Sequence, residues 1–82
     1  MYVYRIVEEE INEEMEDGFA TDFSYVTHEQ KFSEVEFEDM CKKAITMSEE
    51  KTVYSFYLIK ILCSEFGFEK LNPVASFQYT IE

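Results

Sequence analysis

Tryptophan is absent from this chain of 82 residues, which also holds only two glycines, one proline, two cysteines, one histidine and seven Lys plus Arg. Two glycines leave nothing with which to wrap a phosphate, and the chain has no P-loop, G-x-G-x-x-G, H-E-x-x-H or G-x-S-x-G motif. Cys41 and Cys63 show neither a C-x-x-C spacing nor the density of a disulfide-built secreted scaffold, so both are expected as reduced residues of the interior. A membrane span needs about 20 apolar residues. The most apolar run, residues 53–63, is shorter and is broken by Lys60. Residues 1–7 are too short, and too soon followed by Glu8, Glu9 and Glu10, to read as a signal peptide. The expected chain therefore starts at Met1 and resides in the cytoplasm.

Scarce positive charge excludes more. Seven bases face 18 acids, a formal net charge of -11. Binding to nucleic acid or to an anionic membrane relies on Lys and Arg meeting negative charge, so neither is expected as a direct ligand. The fitting partner is a basic protein. With 46% hydrophobic and 17% aromatic residues, the chain is too apolar for a disordered acidic tail. Its length sets one domain, 1–82, as the expectation, with a modest core.

The acids are unevenly placed. Residues 8–39 hold 13 of them and one base, Lys31, whereas the other 50 residues hold five acids and six bases. Seven of the ten residues 8–17 are acidic. Such crowding costs self-repulsion that interspersed charges would avoid. It suits a surface that captures a cationic groove, or else a solvated face that keeps a small protein soluble.

Periodicity gives the element order. Residues 2–7 alternate in β-branched and aromatic side chains and predict a strand. Ile11 and Met15 within 8–16 suit either a helical turn or a continued strand. Asp17-Gly18 is a tight-turn signal, and residues 19–27 alternate again, which predicts a hairpin with an acidic far end. Ser33 and Glu36 stand at N-cap and N3 of a capping box, with Phe32 and Phe37 placed as a hydrophobic staple. The helix they start repeats Phe37, Met40, Cys41, Ala44 and Ile45 on one stripe. Ser48 or Thr52 is the expected cap of a second helix with Val53, Phe56, Ile59, Leu62, Cys63 and Phe66 as its stripe, widened by Tyr57, Leu58 and Ile61. Gly67 and Phe68 fit a Schellman end, Asn72-Pro73 punctuates, and residues 75–81 alternate as a last strand. The expected fold is α+β in the order ββααβ: a three-stranded antiparallel-rich sheet with two helices packed on one face.

Catalytic signals are weak. His28 and a cysteine are the raw materials of a nucleophile and its base, but no third group orients them, and His28 is expected at a surface strand end. Residues 17–22 lack the ladder of an EF-hand loop, so no metal and no cofactor is expected. The chain is therefore expected not to be an enzyme.

The acidic segment has a geometric use. Alternate residues on one strand face stand about 6.6 Å apart, about twice the rise of about 3.4 Å per phosphate along a DNA strand. A carboxylate row can thus imitate phosphates. The candidate partner-binding residues are Glu8, Glu9, Glu10, Glu13, Glu14, Glu16, Asp17 and Asp22, with Glu34 and Glu38 one helical turn apart and Tyr25 as an aromatic anchor.

In size, charge, aromatic content and α+β pattern the chain resembles small acidic phage-encoded inhibitors of host nucleic-acid enzymes, such as the uracil-DNA glycosylase inhibitor and anti-CRISPR proteins. The resemblance is carried by no motif and transfers no residue role. It implies stoichiometric inhibition of a nuclease, glycosylase or CRISPR effector by DNA mimicry, in the host cytoplasm. The alternative is a small interaction or regulatory module, a homodimer or an antitoxin-like partner, whose charge serves solubility.

Overall fold

The computed structural model describes residues 1–11 and 19–81, and only the backbone of Ile11, Phe19 and Ala20. Five elements follow in the order β1 (Tyr2–Ile11), β2 (Phe19–His28), α1 (Glu34–Met47), α2 (Ser55–Glu65) and β3 (Glu69–Leu71). This is the expected ββααβ order. The sheet runs β1-β2-β3 with both pairings antiparallel.

β1 is longer than residues 2–7. It continues through Glu8, Glu9 and Glu10 to Ile11, paired with Phe19. The first four residues of the ambiguous 8–16 segment are therefore strand. The remainder, with the Asp17-Gly18 turn, lies outside the described residues.

The register sets Tyr4 opposite Val26 and Ile6 opposite Ser24 on one face, with Arg5 opposite Tyr25 and Val7 opposite Phe23 on the other. The first face carries the core. Ile6 and Val26 are buried together with Ala44 of α1, Leu58, Ile59 and Leu62 of α2, and Phe68. Both helices therefore lie over one face of the sheet. The second face is open: Val3, Val7, Phe23 and Leu71 stay exposed, and Arg5 covers the Phe23 ring at 5.7 Å.

Local signals formed α1 as expected. The Ser33 hydroxyl accepts from the Glu36 N–H at 3.2 Å, and the Glu36 carboxylate accepts from the Ser33 N–H at 3.0 Å. Phe32 and Phe37 close the staple through Tyr4 and Phe68, whose rings lie 4.8–6.0 Å from theirs. Of the predicted stripe, Ala44 is buried, Phe37, Met40 and Cys41 are half-buried and Ile45 is exposed. Tyr4 also fixes the link between β2 and α1, because its hydroxyl donates to the Gln30 carbonyl at 3.0 Å and accepts from the Phe32 N–H at 2.7 Å.

α2 departs from expectation at its start. Ser48 is the C-cap of α1, Thr52 precedes the helix without capping it, and the N-cap is Tyr54, which makes no side-chain capping bond. The missing cap comes from β1: the Glu8 carboxylate accepts from the Ser55 N–H at 2.6 Å. This anchor sets the phase of the helix. Ser55, Leu58, Ile59 and Leu62 face inward, and Phe56, expected in the stripe, stands 59% exposed.

The end of α2 follows the sequence signal. Gly67 takes φ +76°, a left-handed conformation that favours glycine, and Phe68 is buried behind it. The closing bond runs from the Phe68 N–H to the Leu62 carbonyl at 3.2 Å. That is one residue further back than in a Schellman end, because Phe66 has already left helical φ at -118°.

The last strand is not where alternation put it. β3 is Glu69–Leu71, ahead of Pro73, and residues 75–81 form neither strand nor helix. Gly67 turns the chain straight back onto β2, so pairing begins at once and stops after three residues at Asn72-Pro73, where proline removes a donor. Alternation gave residues 75–81 a strand-forming face but no partner within this fold.

Candidate functional site

β1 and β2 carry the acids outward along the hairpin. Glu8 and Asp22 are direct cross-strand partners, as are Glu10 and Ala20 on the same face and Glu9 and Thr21 on the other. Like charges directly opposite each other destabilise a sheet. Glu8 offsets part of that cost by capping α2 and is half-buried, whereas Glu9, Glu10 and Asp22 are exposed. From Glu8 to Asp22 the sequence holds eight acids and no base. Among the described residues no base lies within ion-pair distance of a hairpin carboxylate. The two ion pairs present, Lys42–Glu38 and Lys43–Asp39, both at 3.0 Å, belong to α1.

The sequence-predicted residues are thus divided by the fold. Glu8, Glu10 and Asp22 share the helix-covered face beyond the core. Glu9 and Tyr25 lie on the open face, Tyr25 between Arg5 and Leu71. Glu34 and Glu38 are exposed on α1, and Glu38 is already engaged by Lys42. Glu13, Glu14, Glu16 and Asp17 lie outside the described residues.

Two aromatics missed by sequence reasoning join the acids. Glu8, Glu9 and Glu10 line a cleft with Thr52, Val53 and Tyr54. The Tyr54 ring stacks on Phe56 at 5.9 Å and 4°, and Phe56 touches Tyr57 at 4.2 Å. Carboxylates beside exposed aromatic faces suit a Lys or Arg side chain, which gains an ion pair and a cation–π contact together. Phe56 could be seen as part of this patch only once the phase of α2 was known.

The histidine and the cysteines are held within the packing of the fold. His28 is not a surface residue: it is half-buried, its ring 4.8 Å from both Phe32 and Phe68. Its Nδ1 accepts from the Gln30 N–H at 2.9 Å, which leaves Nε2–H to donate to the Phe66 carbonyl at 3.1 Å. Both cysteines are free and half-buried. Burial, and then the Glu38 carboxylate, push the Cys41 thiol up to about 11, the opposite of an activated nucleophile. Glu36 is held below the ordinary carboxylate range by its bonds to the Ser33 backbone and hydroxyl. Among the described residues no three His, Cys, Asp or Glu are grouped to hold a metal, and no helix is long and apolar enough to cross a membrane.

Comparison with protein-family models, curated proteins and solved structures finds no match to this chain.

Proposed function

We propose that this protein is a non-catalytic inhibitor that presents its acidic hairpin to the basic nucleic-acid groove of a host nuclease or CRISPR effector, as a phage-encoded DNA mimic acting in the host cytoplasm would. One observation carries the reading: the sequence from Glu8 to Asp22 holds eight acids and no base, and the described carboxylates among them, on β1 and β2, find no internal cation. A solubility face needs charge but does not need it sorted by sign into one stretch of the chain. The partner supplies Lys and Arg. Its association is fast and salt-sensitive, and Tyr54, with Phe56 stacked on it, provides the desolvated contact beside Glu10.

The test is capture from a lysate of the host on the immobilised protein, eluted by stepped salt, with competition by duplex DNA. The expected result is a basic nucleic-acid enzyme released at moderate salt and displaced by DNA. The control reverses Glu9, Glu10, Glu13 and Glu14 to Lys and keeps Glu8, which holds α2. Capture that survives this reversal, or that ignores salt and DNA, overturns the reading. The alternative, an interaction module that associates with itself or an antitoxin-like partner, is favoured by one feature, the apolar open face of the sheet.

A further inference from the structure

The fold leaves two needs unmet, and they match. The outer edge of β1 is ten residues long, and no described strand pairs with it. Alternate residues along it direct N–H and C=O groups outward, and residues 2–7 carry a single charge, Arg5, with no proline to blunt the edge. Beside this edge a groove opens between β1 and α1, floored by Ile6, Phe37, Cys41 and Leu58 and rimmed by Glu34 and Glu38. The second need lies at the other end of the chain. Residues 72–81 are uncharged and all exposed, Phe77 at 84% and Ile81 at 81%. Ala75, Phe77, Tyr79 and Ile81 alternate, and the Phe77 and Tyr79 rings already stack at 5.4 Å, as neighbours on one side of an extended chain do.

We infer that residues 75–81 of a second copy of this chain add as a strand to the free edge of β1, with Phe77 and Tyr79 entering the β1–α1 groove, in a reciprocal exchange. An antiparallel course opposite residues 2–8 sets Phe77 beside Ile6 and Tyr79 beside Tyr4. It also carries the end of the segment toward Met1 and away from Glu9 and Glu10. Backbone pairing supplies affinity and alternate side chains supply specificity, as in other strand additions. The exchange is isologous and closes at two copies.

Reach excludes the chain's own segment from that place. A strand added outside β1 stands three inter-strand spacings, about 14 Å, from β3. The four steps from Leu71 to Ala75 span at most about 14 Å when straight, and that line runs through β2 and β1 themselves. The nearer edge, β3, offers only three residues. A second copy meets neither limit. The segment adds no charge to the interface, so the repulsion between two acidic chains is not increased where they touch.

The test is the oligomeric state of the full chain by sedimentation equilibrium, for the native sequence and for the F77E/Y79E double variant. The native chain is expected as a dimer, twice its 9.8 kDa mass. The variant is expected as a monomer with unchanged circular dichroism, since its altered side chains are exposed in the single chain. Oxidation of a V3C/T80C variant that lacks Cys41 and Cys63 is expected to give a linked dimer on a non-reducing gel. Three results overturn the inference: a native chain that stays monomeric at the highest soluble concentration, a dimer that survives F77E/Y79E, or an intrachain V3C–T80C bond.

Discussion

Removing the Glu8 carboxylate tests whether a strand residue sets the start of a helix 47 positions away. Ser55 is buried, its N–H reaches the carboxylate at 2.6 Å, and the N-cap Tyr54 offers no side-chain substitute. Loss of a helix cap costs about 1 kcal/mol, within a range of about 0.5–2. A negative charge at a helix N-terminus adds about 0.3–1 kcal/mol. Against these, the Glu8→Ala change relieves the cross-strand repulsion from Asp22, worth about 0.2–1 kcal/mol. The net expectation for Glu8→Ala is a loss of about 1 kcal/mol, which for a domain of this size lowers Tm by about 4–8 °C. Glu8→Gln keeps an acceptor and loses the charge, so its loss should be smaller. Urea and thermal unfolding followed by circular dichroism measure both variants. Asp22→Ala should raise stability in the native background and do less once Glu8 is gone, because the repulsion needs both carboxylates. A Glu8→Ala variant as stable as the native chain would refute the cap, and with it the explanation for the phase of α2.

Ser33→Ala should cost about 1 kcal/mol by opening the capping box. Because Glu36 is held below its ordinary range when folded, the stability it lends is present above that range and is lost as pH falls through the folded pKa. The stability difference between the native chain and Glu36→Gln in acid unfolding should therefore shrink as pH falls through that range. Gly67→Ala should cost about 1–2 kcal/mol, since an L side chain at φ +76° is strained, and a denaturant titration with an unchanged midpoint would contradict the left-handed turn. In a Cys63→Ser background, Cys41 should be alkylated far more slowly in the folded chain at pH 8 than in urea, with the folded rate rising as pH approaches 11. The same raised pKa makes folded stability decline as pH climbs above about 9, where the unfolded thiol ionises first. Thermal melts at pH 8 and pH 10 read that decline.

What the sequence determined by itself is what neighbours along the chain can settle. Ser33 and Glu36 satisfy each other across three residues, so the start of α1 was legible, as was the left-handed turn at Gly67, where backbone sterics alone favour glycine. The strand alternation of residues 2–7 and 19–27 pointed to two antiparallel strands, which pair as β1 and β2, and the concentration of charge between Glu8 and Asp22 needs no coordinates at all. Tertiary structure decided whatever depends on a distant partner. α2 begins at Ser55, where the Glu8 carboxylate supplies the cap, and Phe56, read as part of the stripe, turns out against Tyr54, whereas Leu58, Ile59 and Leu62 face inward as the stripe predicted. His28, read as a surface residue, is held among Phe32, Phe66 and Phe68, contacts that exist only once β2 meets the end of α2. Residues 75–81 have the period of a strand, but a strand is completed by hydrogen bonds to another strand, and three residues at Glu69–Leu71 had already taken the edge of β2. Periodicity specifies which side of a segment is apolar, whereas only packing specifies what that side faces.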